Sequence, residues 1–102
     1  MTIEFEWDPA KARSNLAKHG IDFETAQKVF DDPFALVESD SSTSREERWR
    51  TVGLVNGVLL LLVAHAMFDE GDVEVVRIIS ARRTDTSERL RYERARRESS
   101  GL

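Results

Sequence analysis

The chain has 102 residues, 33% of them charged and 40% hydrophobic, with a formal net charge of −4 and no cysteine. That length supports one domain with a modest core, and the composition excludes a disordered chain. The absent thiols exclude a disulfide framework, a thiolate metal site and a cysteine nucleophile.

Ile3, Phe5 and Trp7 alternate with Glu4, Glu6 and Asp8, which predicts a short strand with one apolar face. Asp8-Pro9 reads as N-cap and first helical residue, and Ala10 to His19 as a helix stopped by Gly20. Lys18 and His19 fall in its last turn, where the helix dipole favours positive charge. Asp22 caps a second expected helix running through Asp31, with Phe23, Ala26, Val29 and Phe30 as its apolar stripe and Pro33 beyond its end. The two helices form an αα-hairpin lying across a sheet.

Ala35 to Glu38 is a candidate short strand, and the polar run Ser39 to Glu47 a loop. Arg48 to Val55 alternates. Asn56-Gly57 between two apolar runs predicts a type I′ hairpin, because both residues tolerate positive φ. Val58 to Ala64 is apolar on both pleat faces, as in a central strand covered on both sides. It is far shorter than the ~20 residues that span a bilayer. His65 and Met67 follow it, and after a turn at Asp69-Glu-Gly-Asp72 the run Val73 to Ala81 returns antiparallel. Asp85 and Glu88 make a capping box before a last helix. Leu90 is the only aliphatic residue between Glu88 and Arg94, so this helix is expected to pack weakly and to dock on a partner. The whole is an α+β domain, residues 1–97, with an antiparallel sheet of about four strands and a frayed tail at 98–102. The acidic start has no secretory signature, so a cytoplasmic location without a membrane partner is expected.

Residues 77–97 hold eight arginines and no lysine against three acids. Arginine offers a planar fork suited to phosphate or carboxylate, and the asymmetry points to an anionic partner. Arg77 lies inside the β-branched run Val75 to Ile79, where a guanidinium must be paired or face a wet groove. It is therefore either a structural ion pair or a cation carried into a phosphate-binding cleft. Strict alternation puts Arg77 with Val75, Ile79 and Ala81, and Arg82 with Val76 and Ile78 on the opposite face. Only a bulge or the strand end would bring both to one cleft. Arg82, at the strand end, is the preferred phosphate contact of the two.

Several segments together resemble the BrnT-type ribonuclease toxins of bacterial type II toxin–antitoxin modules. They are Phe5-Glu-Trp-Asp-Pro-x-Lys-x-x-x-Asn15, Lys18-His-Gly-Ile-Asp-Phe23, Ala26 to Phe30 with Asp32, Glu47-Arg48-Trp49 running into Gly53, Val76-Arg-Ile-Ile-Ser-Ala-Arg-Arg83, and Glu88-Arg89-x-x-Tyr92-Glu93. The resemblance implies a compact RelE-like fold and RNA cleavage without a metal or other cofactor. It also implies neutralisation by a BrnA-type antitoxin whose ribbon-helix-helix domain makes the DNA contact.

Such cleavage requires a proton acceptor for the ribose 2′-hydroxyl, a donor for the leaving 5′-oxygen, and cations around the phosphoryl oxygens. The candidates for proton transfer are His19 and His65, then Glu46 and Glu47 beside Arg48. Arg48, Arg77 and Arg82 are the expected phosphate contacts, with Lys18 and Arg83 peripheral. The Arg-rich end, with Arg89, Tyr92 and Arg96, suits the acidic surface of an antitoxin. Each has a plainer alternative: an exposed helix-end histidine for His19, a satisfied core residue for His65, and a surface pair for Glu47 and Arg48. Trp7 and Trp49 are expected in the core rather than as base-stacking platforms. A catalytically silent RNA-, ribosome- or antitoxin-binding module is the rival to an enzyme.

Overall fold

A computed structural model describes residues 2–40 and 47–99. The elements in order are β1 (Thr2–Glu6), α1 (Pro9–His19), α2 (Phe23–Ala26) running into a 3-10 turn (Gln27–Asp31), β2 (Leu36–Asp40), β3 (Arg48–Val55), β4 (Leu59–Glu70), β5 (Val73–Arg83) and α3 (Thr86–Ser99). The sheet has five strands in the order β1-β5-β4-β3-β2. It is mixed, because β1 pairs in parallel with β5, from Thr2 opposite Val73 to Glu6 opposite Arg77. The expectation of about four antiparallel strands is corrected on both points. A partner so distant in the sequence leaves no local pattern.

Local chemistry sets the ends of the helices. The Ala10 N–H donates to Asp8 Oδ1 at 2.9 Å, and Gly20 closes α1 at φ 72°. Asp22 Oδ1 accepts from the Thr25 N–H at 2.6 Å. The second helix is α-helical only to Ala26 and then tightens where Val29 sits directly on Gly53 of β3. A Cβ on Gly53 would lie 2.8 Å from both the Cβ and the carbonyl oxygen of Val29. Asn56 (φ 53°) and Gly57 (φ 73°) form the expected turn. The last helix continues through Ser99, beyond the expected fraying at 98, and residues 100–102 lie outside those described.

The helices α1 and α2 cover one face of the sheet. Ile21, Phe23, Ala26 and Val29 pack there on Val55, Leu61, Val63, Val76, Ile78 and Ala81. Each buried aliphatic side chain contributes roughly 1.5–3 kcal/mol. Asn15 on α1 completes this layer. β1 stops at Glu6, so β5 beyond Arg77 has no strand on that side, and the Asn15 amide takes its place. Nδ2 donates to the Ala81 carbonyl at 2.9 Å and to the Ile21 carbonyl at 3.0 Å, and Oδ1 accepts from the Ala81 N–H at 3.0 Å.

The opposite face carries a smaller apolar patch, Val52 and Leu62 under Tyr92 of α3. Polar contacts hold this helix in place of the apolar stripe that its sequence lacks. The capping box forms in both directions, Asp85 N–H to Glu88 Oε1 at 2.9 Å and Glu88 N–H to Asp85 Oδ1 at 2.7 Å. Arg82 on β5 donates twice to Glu88, at 2.9 and 2.8 Å, and Arg91 donates twice to Glu38 on β2, at 3.2 and 3.1 Å. The Tyr92 hydroxyl donates to Asp32 Oδ2 at 2.5 Å. Leu90 is 53% exposed.

Candidate functional site

The pairing of β4 with β5 slips once. Ala64 stands opposite Ser80 and His65 opposite Ile78, so Ile79 is an extra residue, a β-bulge. Side-chain alternation restarts after it. Val76 and Ile78 face the helix layer before the bulge and Ala81 faces it afterwards. Arg77, Ser80 and Arg82 consequently share the other face.

Register places partners for them there. One row across the sheet reads Asp40, Arg48, Ala66, Arg77, Glu6, and the next Glu38, Arg50, Ala64, Ser80. Adjacent strands are about 4.8 Å apart, so Arg48 and Arg77 flank Ala66 at roughly 10 Å between Cα atoms. Ala66, small and only 3% exposed, lies between the two arginine-bearing strands. Arg77 Nε donates to Glu6 Oε2 at 2.7 Å, and its guanidinium lies 5.2 Å from the centre of the Phe68 ring. Arg50 Nε is buried without a hydrogen-bond partner among the described residues. An unspent buried donor across Ala64 from Ser80 is what an anionic ligand would satisfy.

The arginines of this face differ in what they are committed to. Arg82 is locked two-pronged onto buried Glu88 and also donates to the Arg83 carbonyl at 3.1 Å. Those hydrogen bonds hold the Glu88 carboxyl below its usual range and raise Arg82. Arg77 is half exposed, and its Nε pairs with a similarly exposed Glu6. Arg77 is thus paired, as one of its two expected readings had it, with its backbone in the sheet and its side chain facing solvent. Arg82, expected as the phosphate contact of the two, is bonded to Glu88 and anchors α3.

The other expected site residues fall elsewhere. His65 is fully buried on the helix face, its Nε2 2.7 Å from Thr51 Oγ1 and its ring edge-on to Phe30 at 4.9 Å. Burial pushes its pKa down to about 4, and it is not grouped with the arginines. Lys18 and His19 end α1, which packs on the helix side of β5, and exposed Arg83 follows Ala81 on that same side. Glu47 is exposed just before β3, and Glu46 lies outside the described residues. Arg89 is exposed on α3, and Arg96 stacks on Phe34 at 4.9 Å. Tyr92, expected at an antitoxin surface, is only 3% exposed and is spent on anchoring α3. Burial together with the bond to Asp32 pushes its hydroxyl up to about 12. Trp7 packs edge-on to Phe23 at 5.8 Å, in the core as expected.

Sequence reasoning missed Arg50, Glu6 and Phe68. Arg50 had a signal, since it lies two residues from Arg48 on the same pleat face. The other two depended on pairings that the sequence does not display. Among the described residues no cluster of three or more His, Cys, Asp or Glu could hold a metal ion, and no helix is long and apolar enough to cross a membrane.

Comparison with known proteins agrees with this architecture. The fold is similar to the 1.1 Å crystal structure of the Brucella abortus ribonuclease toxin BrnT, with a TM-score of 0.60 and 24% identity, covering 84% of this chain and all of that one. No curated protein matches the chain. The family model for BrnT, the ribonuclease toxin of a type II toxin–antitoxin system, matches residues 7–88, and the chain belongs to that family.

Proposed function

We propose that the chain is a metal-independent endoribonuclease whose substrate phosphate sits over Ala66, held by Arg48, Arg50 and Arg77. The ribose 2′-oxygen attacks the adjacent phosphorus and the bond to the 5′-oxygen breaks, leaving a 2′,3′-cyclic phosphate and a 5′-hydroxyl. The arginines neutralise the charge that grows on the phosphoryl oxygens. Glu6, already bonded to Arg77, is the carboxylate nearest to take the 2′-hydroxyl proton, and the leaving 5′-oxygen takes its proton from solvent water. His19, Glu47 and Lys18 have no role on this face in this reading. Cutting RNA in the cytoplasm inhibits translation and growth, as expected of a toxin with the kinship to RelE-like proteins that the sequence suggests. A BrnA-type antitoxin, carrying the ribbon-helix-helix domain and hence the DNA contact, neutralises it, and the exposed arginines of α3 offer a surface for acidic groups on that partner.

The row that groups Arg48, Arg77 and Glu6 around Ala66 on one sheet face supports this reading. The test is induction of the wild-type chain and Arg77→Ala in a bacterium, with RNA cleavage by each purified protein in EDTA. Removing one oriented cation should cost about 10²–10³ in rate and abolish growth arrest. A folded Arg77→Ala protein that cuts normally would move the site elsewhere. Wild-type protein that leaves RNA intact would favour a silent binding module, and cleavage lost in EDTA would refute the metal-independent route.

A further inference from the structure

Phe68 has no place in either apolar cluster, although the residue before it, Met67, packs on the helix-side core. Its strand parity puts it on the arginine face with Leu62, Ala64 and Ala66, opposite Val75. The ring is partly exposed and the Arg77 guanidinium covers it at 5.2 Å. A partly exposed aromatic residue outside the core, with a cation resting on it, has the make-up of a nucleobase platform. Every base has a π face, and single-stranded RNA is commonly held by aromatic stacking beside cations on its phosphates. Phe68 stands two residues along β4 from Ala66, about 7 Å away. That separation suits a phosphate over Ala66 and the base of an adjoining nucleotide over Phe68.

We infer that Phe68 is a base-stacking subsite for single-stranded RNA, exposed when Arg77 leaves the ring for the phosphate. The inference rests on the proposed cleavage site and adds to it a contact with the base. In the free protein Arg77 lies over the ring and is bonded to Glu6, and the inferred second position is over Ala66. Substrate selects the second by supplying the phosphate, and the vacated ring face receives the base. Stacking of this kind tolerates any base and therefore strengthens binding without imposing a narrow sequence.

The probe is a set of 2′-O-methyl oligoribonucleotides, which cannot be cut, with 2-aminopurine at successive positions. Wild-type protein should quench one position through stacking. Phe68→Leu should lose that quench and bind roughly tenfold more weakly, with KM for a cleavable RNA rising by a similar factor and kcat changing less than about twofold. Phe68→Trp should restore both binding and quench, which separates stacking from a role in folding. Equal quench and affinity in Phe68→Leu would overturn the inference while leaving an Arg77-dependent nuclease intact. If the wild-type chain neither binds nor cuts RNA, the proposed function and the inference fall together.

Discussion

His65 provides a quantitative test of the division between the two sheet faces. In the unfolded chain its imidazole takes a proton below about pH 6.5, whereas in the folded protein burial lowers the pKa to about 4. The unfolded state thus binds more protons in that window, and stability falls as the pH falls. The slope approaches about 1.36 kcal/mol per pH unit, so going from pH 7 to pH 5 should remove about 2 kcal/mol. For a domain of this size the melting temperature should drop by roughly 8–15 °C. Asp22, Asp32 and Glu88 have carboxyls held below their ordinary values of 3.8, 3.8 and 4.5, so their contributions are lost only at lower pH. The window from 7 to 5 therefore isolates the histidine. Urea unfolding at several pH values, with His65→Gln as the comparison, measures the slope, and NMR titration of the imidazole gives the pKa directly. An imidazole titrating near 6.5, or an equal slope in His65→Gln, would refute the burial account and reopen a role for His65 in proton transfer.

Three further outcomes follow from particular contacts. Asn15→Ala removes three hydrogen bonds and strands both backbone groups of Ala81, and should cost about 2–4 kcal/mol in urea unfolding; a loss under 1 kcal/mol would contradict its role as a substitute strand. Tyr92 is the only tyrosine, so ultraviolet titration reads it alone, and its ionisation should appear near 12 instead of the ordinary 10.0. Asp32→Asn should bring that value down, and an unchanged titration would deny the contact. Gly53→Ala forces β3 away from the turn carrying Val29 and should destabilise by about 1–3 kcal/mol, read as a lower midpoint with an unchanged m value.

The elements governed by near neighbours were readable in advance. Asp8-Pro9, Gly20, Asn56-Gly57 and the Asp85–Glu88 box each act over a few residues, and each forms as its chemistry requires. The parallel pairing of β1 with β5 was not readable, because it joins residues some seventy positions apart. Nor was the bulge, since Ile78-Ile79 contains neither glycine nor any other breaker to mark a change of alternation. The arginines could therefore be nominated from the sequence, but their grouping could not. Arg82 attracted attention as a strand-end cation, yet a buried glutamate from α3 claims it. The docking of α3 was equally hidden, because its stabilising contacts are made by Glu88, Arg91 and Tyr92 rather than by a hydrophobic stripe.

The parallel pairing of β1 with β5 also has a consequence for timing. A ribosome adding about 5–20 residues per second makes Glu6 several seconds before Arg77 exists. Throughout that interval β1 has no strand to join, and the nascent chain lacks the row that runs from Asp40 through Arg48 and Ala66 to Arg77 and Glu6. Closing so long a loop belongs among the slower steps of folding. A row that joins the first strand of the sheet to the fifth cannot form before Arg77 has been made, so the late strand and not the early one sets when the sheet is completed.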